Sequence, residues 1–164
     1  MTNEQDARQY VIFRLGLEEF AFDISKVKEI FPTQEITKVH RSPEHIEGVM
    51  NLRGRLVTVI DLRKRFKLDA KDLDESSRII VVDASDAPVG FLVDEVTEVV
   101  RMPVDSVEPV PEYVAQEIES EYVAGIAKLD DRLITIIDPL KVLDLSTDDA
   151  GQEGGVSDGD SSGG

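Results

Sequence analysis

Apolar residues in this chain come in short runs, and each run is cut off by a turn-forming residue. Tyr10–Leu15 (YVIFRL) reads as a strand, Gly16-Leu17-Glu18-Glu19 as a turn, and Phe20-Ala21-Phe22 as the returning strand of a hairpin. Ile24, Val27 and Ile30 recur every three residues, a spacing that also fits a helical turn. The segment is short, and its later counterpart (Val93, Val96, Val99, Val100) is rich in β-branched residues, so a brief turn leading into a strand is expected. Ile36–Val39 reads as a further short strand. Ser42-Pro43-Glu44 places an N-capping residue before a proline and predicts one helical turn.

The most informative stretch is Gly48–Phe66, GVMNLRGRLVTVIDLRKRF. A short apolar strand (Ile46, Val49, Met50) turns through Asn51-Leu52-Arg53-Gly54 and returns as Leu56–Ile60. Asp61 then caps a short helix that carries Lys64 and Arg65 near its C-terminal end. A shift of 77 positions repeats this stretch: Gly48, Leu52, Arg55, Leu56, Thr58, Ile60, Asp61 and Lys64 fall on identical residues from Gly125 to Lys141. The preceding segments match at a shift of 69, which carries Ile24, Val27, Glu29 and Ile30 onto Val93, Val96, Glu98 and Val99. One unit is used twice.

The remaining segments fit that plan. Met1–Gln9 reads as a flexible N-terminal arm, and Lys67–Ser77 as a polar connector between units. Ile79–Val82 and Val89–Val93 form the opening hairpin of the second unit, Val114–Ile118 a short helix, and Tyr122–Leu143 the second copy of the central hairpin. From Ser146 to Gly164 apolar residues nearly vanish, so that acidic Gly/Ser/Asp tail is expected to be disordered. The expected fold is mainly β, with two small tandem antiparallel β-barrels and short helices, spanning residues 10–145. The first lobe is expected at about 20–75 plus a pairing N-terminal strand, and the second at about 78–145. A unit of roughly 70 residues is near the lower limit for an independent core, so the lobes should pack on each other.

Charge narrows the function. The formal net charge is −16, with 34 acidic residues against 18 basic ones, and such a surface is repelled by nucleic acid and by anionic lipid. A saline cytoplasm would be one explanation of the acidity. The absence of cysteine excludes a disulfide framework or a Cys-based zinc site. His40 and His45 have no metal-type carboxylate pattern beside them and read as structural or surface residues. No phosphate loop, nucleophile elbow or histidine–nucleophile set appears, so the expectation is no enzyme and no cofactor. No secretory leader or long apolar span is evident, which predicts a cytoplasmic protein.

The run EIF…ITKVHRSPEHIEGVMNLRGRLVTVIDLRKRF, with its NLRG turn followed by the V-x-x-IDLR strand, resembles the CheW chemotaxis coupling proteins. EYVAGIAKLDDRLITIID in the second unit is similar as well, and the resemblance extends from about Tyr10 to Leu145. It implies that the two barrels are tandem SH3-like five-stranded antiparallel β-barrel subdomains with a groove between them, and it implies no catalytic activity. Its implied partners are the cytoplasmic tips of membrane-bound chemoreceptors and the regulatory domain of the histidine kinase CheA, which has the same fold. Recruitment to receptor arrays follows from those partners, and the chain alone is expected to be monomeric.

The resemblance implies site residues too. Val27, Glu29 and Ile30 match first-lobe positions that contact kinase and receptor. Arg53 matches a signalling arginine, in a turn held by Asn51 and Gly54. Val93, Val96 and Val99 match the second-lobe wall of the inter-barrel groove. On the residues alone, Val27 and Ile30 read first as core and Glu29 as a solvated strand face. Arg53 has Asp130 as its repeat counterpart, so the fold itself does not require arginine there. Other readings are an SH3-like binder of nucleic acid or small ligands, a CheA-regulatory-like domain, and a CheV-like scaffold. The missing basic stripe with interleaved aromatics opposes nucleic acid, and the missing kinase or receiver domain favours a stand-alone coupler.

Overall fold

The structure, a computed structural model, describes residues 7–69, 71–84, 87–109 and 122–143. Its elements are β1 (Ala7–Leu15), β2 (Glu18–Asp23), β3 (Val27–Pro32), β4 (Ile46–Leu52), β5 (Arg55–Asp61), α1 (Leu62–Arg65), β6 (Arg78–Asp83), β7 (Pro88–Val93), β8 (Glu95–Pro103), β9 (Val107–Glu108), β10 (Val123–Leu129) and β11 (Arg132–Ile137). They form a six-stranded sheet in the order β8-β1-β2-β11-β10-β9 and a five-stranded sheet in the order β3-β6-β7-β5-β4. Each sheet surrounds its own apolar cluster, the architecture of two SH3-like subdomains. One ladder in each sheet is parallel, β2 with β11 and β5 with β7, so the barrels are not purely antiparallel.

The lobes do not follow the halves of the chain. The hairpin β6–β7, expected to open the second lobe, completes the first sheet beside β3 and β5. The hairpin β1–β2 belongs with β8 and β11. The physical reason lies in the runs themselves. β1 and β6 are apolar at consecutive positions and therefore need cover on both faces. Tyr10 and Ile12 point into the six-stranded subdomain, while Val11, Phe13 and Leu15 point into a core shared by both sheets. Their repeat counterparts behave alike: Ile79 and Val81 fill the five-stranded subdomain, and Ile80 and Val82 join the shared core. Phe13, Phe20, Phe22, Phe66, Phe91 and Tyr122 make that shared core aromatic, with neighbouring ring centroids 4.8–5.9 Å apart.

Several local expectations are met. A 3-10 turn at Ile24–Lys26, capped by the Asp23 carboxylate accepting from Ser25 N at 2.9 Å, leads directly into β3. Asp61 caps α1 by accepting from Arg63 N at 2.9 Å, and Asp138 repeats the device with Leu140 N at 3.0 Å. The repeat extends to irregularities: Gly48 and Gly125 sit at matching register shifts in β4 and β10. At both, a neighbouring backbone approaches so closely that an added Cβ would lie 2.2 Å from Thr37 O or 2.8 Å from Glu108 O.

Other expectations are corrected. Residues 7–9 are not a free arm, because Ala7, Arg8 and Gln9 pair with Pro103, Met102 and Arg101 of β8. The segment after Ser42 makes turns instead of a helix, and the Ser42 hydroxyl donates back to Val39 O at 2.9 Å, so it caps nothing. Ile36–Val39 contributes only the isolated Thr37–Val49 bridge. Val114–Ile118 and the tail from Ser146 lie outside the described residues.

Candidate functional site

The β4–β5 turn consists of Arg53 and Gly54, closed by the Leu52–Arg55 pair, and both turn residues have positive φ (54° and 85°). That is the geometry of a two-residue hairpin loop whose twist matches its strands, and glycine tolerates it without penalty. Arginine does not favour the left-handed region, so the conformation is held from outside. Asn51 supplies part of the hold, its side-chain oxygen accepting from Gly54 N at 2.9 Å. Glu29 supplies the rest: its two carboxylate oxygens each accept from an Arg53 guanidinium nitrogen at 2.8 Å. The guanidinium also lies over the Phe31 ring, 5.8 Å from its centroid.

Glu29 stands on β3, the opposite edge of the five-stranded sheet from the β4–β5 turn. A bidentate contact between the two edges means that the sheet curls until they meet. The Arg53 hydrogen bonds and charge hold the Glu29 carboxyl below the usual carboxylate range, and Glu29 raises Arg53 in return. Four of the residues picked from sequence (Glu29, Asn51, Arg53, Gly54) thus form one constellation. Ile30 is its neighbour, exposed on the other face of β3 at 38%.

The valines divide. Val27 and Val96 are repeat equivalents, both half-buried and packed against the shared core, which puts them at the seam between the subdomains. Val99 is 49% exposed on β8. Val93 is only 2% exposed inside the shared core, so no partner can touch it while the protein is folded. Its expected place on a groove wall is corrected: β7 is covered on both faces, and the last residue of that strand points inward.

Sequence reading missed two features. Leu56 and Leu133, identical across the repeat, are 69% and 63% exposed at matching strand positions. Arg55 and Arg132, also identical across the repeat, differ in their surroundings. Arg132 donates to Glu19 through Nε at 3.1 Å and Nη2 at 2.6 Å, and to Glu98 at 2.6 Å, closing the six-stranded sheet from β11 to β8. Retention of an identity at an exposed repeat position was the available signal.

A model of the CheW-like domain matches residues 9–147. The chain belongs to the CheW family. The chemotaxis protein CheW of Klebsiella aerogenes is 35% identical over 143 residues, covering 87% of this chain and 86% of its own. That of Bacillus subtilis is 35% identical over 145 residues, covering 88% and 92%. The crystal structure of the scaffolding protein TtCheW from Thermoanaerobacter tengcongensis matches with a TM-score of 0.77 at 39% identity, covering 82% of this chain and 86% of that one. Membership makes this chain a chemotaxis scaffold protein of the CheW family. Among the described residues, no helix is long and apolar enough to cross a membrane.

Proposed function

We propose that the chain is a non-enzymatic adaptor that couples chemoreceptor cytoplasmic tips to the regulatory domain of the histidine kinase CheA. It would act in the cytoplasm, recruited to membrane-bound receptor arrays, and be monomeric when alone. The observation that carries the reading is the Glu29–Arg53 constellation. A guanidinium is displayed on a tight turn at a strained backbone position and locked to the opposite sheet edge, and Ile30 is exposed on the other face of that same edge strand. A rigid polar anchor and an exposed aliphatic residue on the two faces of one edge strand suit a partner that docks along that edge. In this reading Glu29, Ile30, Asn51, Arg53 and Gly54 form the kinase-facing patch. Val27 and Val96 at the seam, with Val99, receive the receptor tip, and Val93 supports that wall from inside.

The test is isothermal titration of the chain with a purified CheA regulatory domain and, separately, with a receptor-tip fragment. Saturable binding to both is expected, with Ile30→Glu weakening the first and Val96→Glu the second while far-ultraviolet CD stays unchanged. Absence of binding by the folded wild type sinks the coupling function.

A further inference from the structure

Among the described residues, the repeat exposes a charge left without its partner. In the six-stranded subdomain, Arg132 is neutralised by Glu19, which lies beside Ile134 in the parallel ladder, and by Glu98 on β8. The same positions exist in the five-stranded subdomain. Arg55 is the counterpart of Arg132 and Glu29 that of Glu98, while Pro88 occupies the place of Glu19, next to the ladder that pairs Thr58 with Val89. Proline offers no carboxylate, and Glu29 is already held bidentately by Arg53. Arg55 is exposed, and among the described residues no carboxylate reaches it.

Arg55 borders a cleft of about 200 Å³ whose floor includes Val57 and Pro88, both buried, and whose rim carries Lys28, Leu52 and Arg53. Among the described residues Lys28 has only a long contact, 3.6 Å, to Asp83. Leu56, the next residue along β5, is 69% exposed. Three cations with two carboxylates beside them, Glu29 on Arg53 and Asp83 at the longer distance from Lys28, leave a local positive spot at Arg55 on a chain of net charge −16. Such a spot on a negative body selects and orients an acidic group. The geometry points to Arg55 as a specificity residue that receives a carboxylate from the docked CheA regulatory domain, with Leu56 covered by an apolar residue next to that carboxylate. The inference rests on the adaptor reading and adds to it the chemistry that the partner must present. Arg132 with Glu19 shows the arrangement this fold accepts: a strand-borne carboxylate taken by Nε and Nη2 together.

The experiment titrates the full chain with the CheA regulatory domain at several salt concentrations, using wild type, Arg55→Ala, Arg55→Glu and Lys128→Ala. Among the described residues the Arg55 side chain makes no hydrogen bond, and its backbone pairing with Leu52 does not depend on the side chain, so its variants should melt as wild type does. Arg55→Ala is expected to weaken binding about 10-fold and Arg55→Glu more, with a shallower salt dependence for both, while Lys128→Ala leaves the affinity unchanged. Wild-type binding with Arg55→Ala within about twofold of it and an equal salt slope overturns the inference and leaves the adaptor reading standing. No binding by wild type overturns the adaptor reading and the inference with it. Sedimentation of the chain alone is the last arm. Oligomers that Arg55→Ala dissolves would assign the cleft to the acidic end of a second copy, against the proposed occupant.

Discussion

Arg63 and Asp94 are joined by two hydrogen bonds, Nε to Oδ1 at 2.8 Å and Nη2 to Oδ2 at 2.6 Å. Asp94 also accepts from Gly16 N at 2.7 Å. α1 of the five-stranded subdomain, the β1–β2 turn of the six-stranded subdomain, and the point where the chain crosses between them therefore meet at one carboxylate. Both side chains are largely covered, at 14% and 15% exposure. Removing one partner leaves a desolvated charge alone. Arg63→Ala is expected to cost about 3 kcal/mol in urea unfolding. Arg63→Lys should fall between it and wild type, because an ammonium keeps the charge without the two-pronged fit. Equal stability of all three would show that the clamp contributes nothing.

The Arg53–Glu29 pair has a different consequence, because both groups are open to water. Arg53→Ala and Glu29→Ala should leave the melting temperature nearly unchanged, since exposed pairs contribute little. Each should weaken binding to the CheA regulatory domain in titration. The exchanged pair Glu29→Arg with Arg53→Glu should recover less than half of the loss if the guanidinium itself is recognised, and nearly all of it if only the edge-to-edge tie matters.

Two of the carboxylates with depressed values, Asp94 and Glu19, tie distant segments together and bear on acid stability. Burial pushes the Asp94 carboxyl up, but the hydrogen bonds from Arg63 and Gly16 outweigh it, and the Arg132 hydrogen bond draws Glu19 down, so both titrate below the ordinary range. A depressed folded value means stabilisation that is complete above the unfolded value and lost as the pH falls through the folded one. Unfolding free energy measured from pH 7 downward should therefore hold until about pH 4 and drop below it. Arg63→Ala should flatten that drop.

Asp61 has the opposite sign. Burial, followed in effect by backbone hydrogen bonds that oppose it, leaves its carboxyl raised. The charged form is therefore a cost to the fold, incurred as the pH rises through the folded value. Asp61→Asn keeps an acceptor for Arg63 N and removes the charge, so its midpoint in thermal unfolding at pH 7 should equal or exceed that of wild type. Asp61→Ala loses the cap and should cost about 1 kcal/mol.

Gly48→Ala and Gly125→Ala test the repeat at its irregularities. The Cβ at Gly48 would meet Thr37 backbone at 2.2 Å, and that at Gly125 would meet Val107 Cγ1 at 2.7 Å and Glu108 O at 2.8 Å. Each should lose about 1–3 kcal/mol, read by denaturant unfolding. Gly54→Ala, where nothing lies within 4 Å of the added carbon, should lose less, through its positive φ alone.

Much of the site could be read along the chain because its parts are local. The NLRG turn is a four-residue device whose glycine and asparagine have local jobs, and the caps at Asp61 and Asp138 act two residues away. The partner of Arg53 was harder to see: Glu29 lies 24 positions earlier and meets it only because the sheet closes. The resemblance puts Val93 on the groove wall with Val96 and Val99, but matching a motif position carries over side-chain type and not surroundings. Val93 takes the place of partly buried Ile24, yet it ends a strand covered on both faces.

The sequence by itself determined the β class, the two-fold repeat, the turn chemistry and the family, all of which are written in residues close to one another. Tertiary structure alone decided which hairpin completes which barrel, that Asp94 clamps the crossing point, and that Arg132 is neutralised while Arg55 has no carboxylate among the described residues. Those outcomes depend on contacts between residues as far as 113 positions apart. Pattern fixes which faces must be covered, but loop-closure cost grows so slowly with length that pattern does not say which distant strand will cover them.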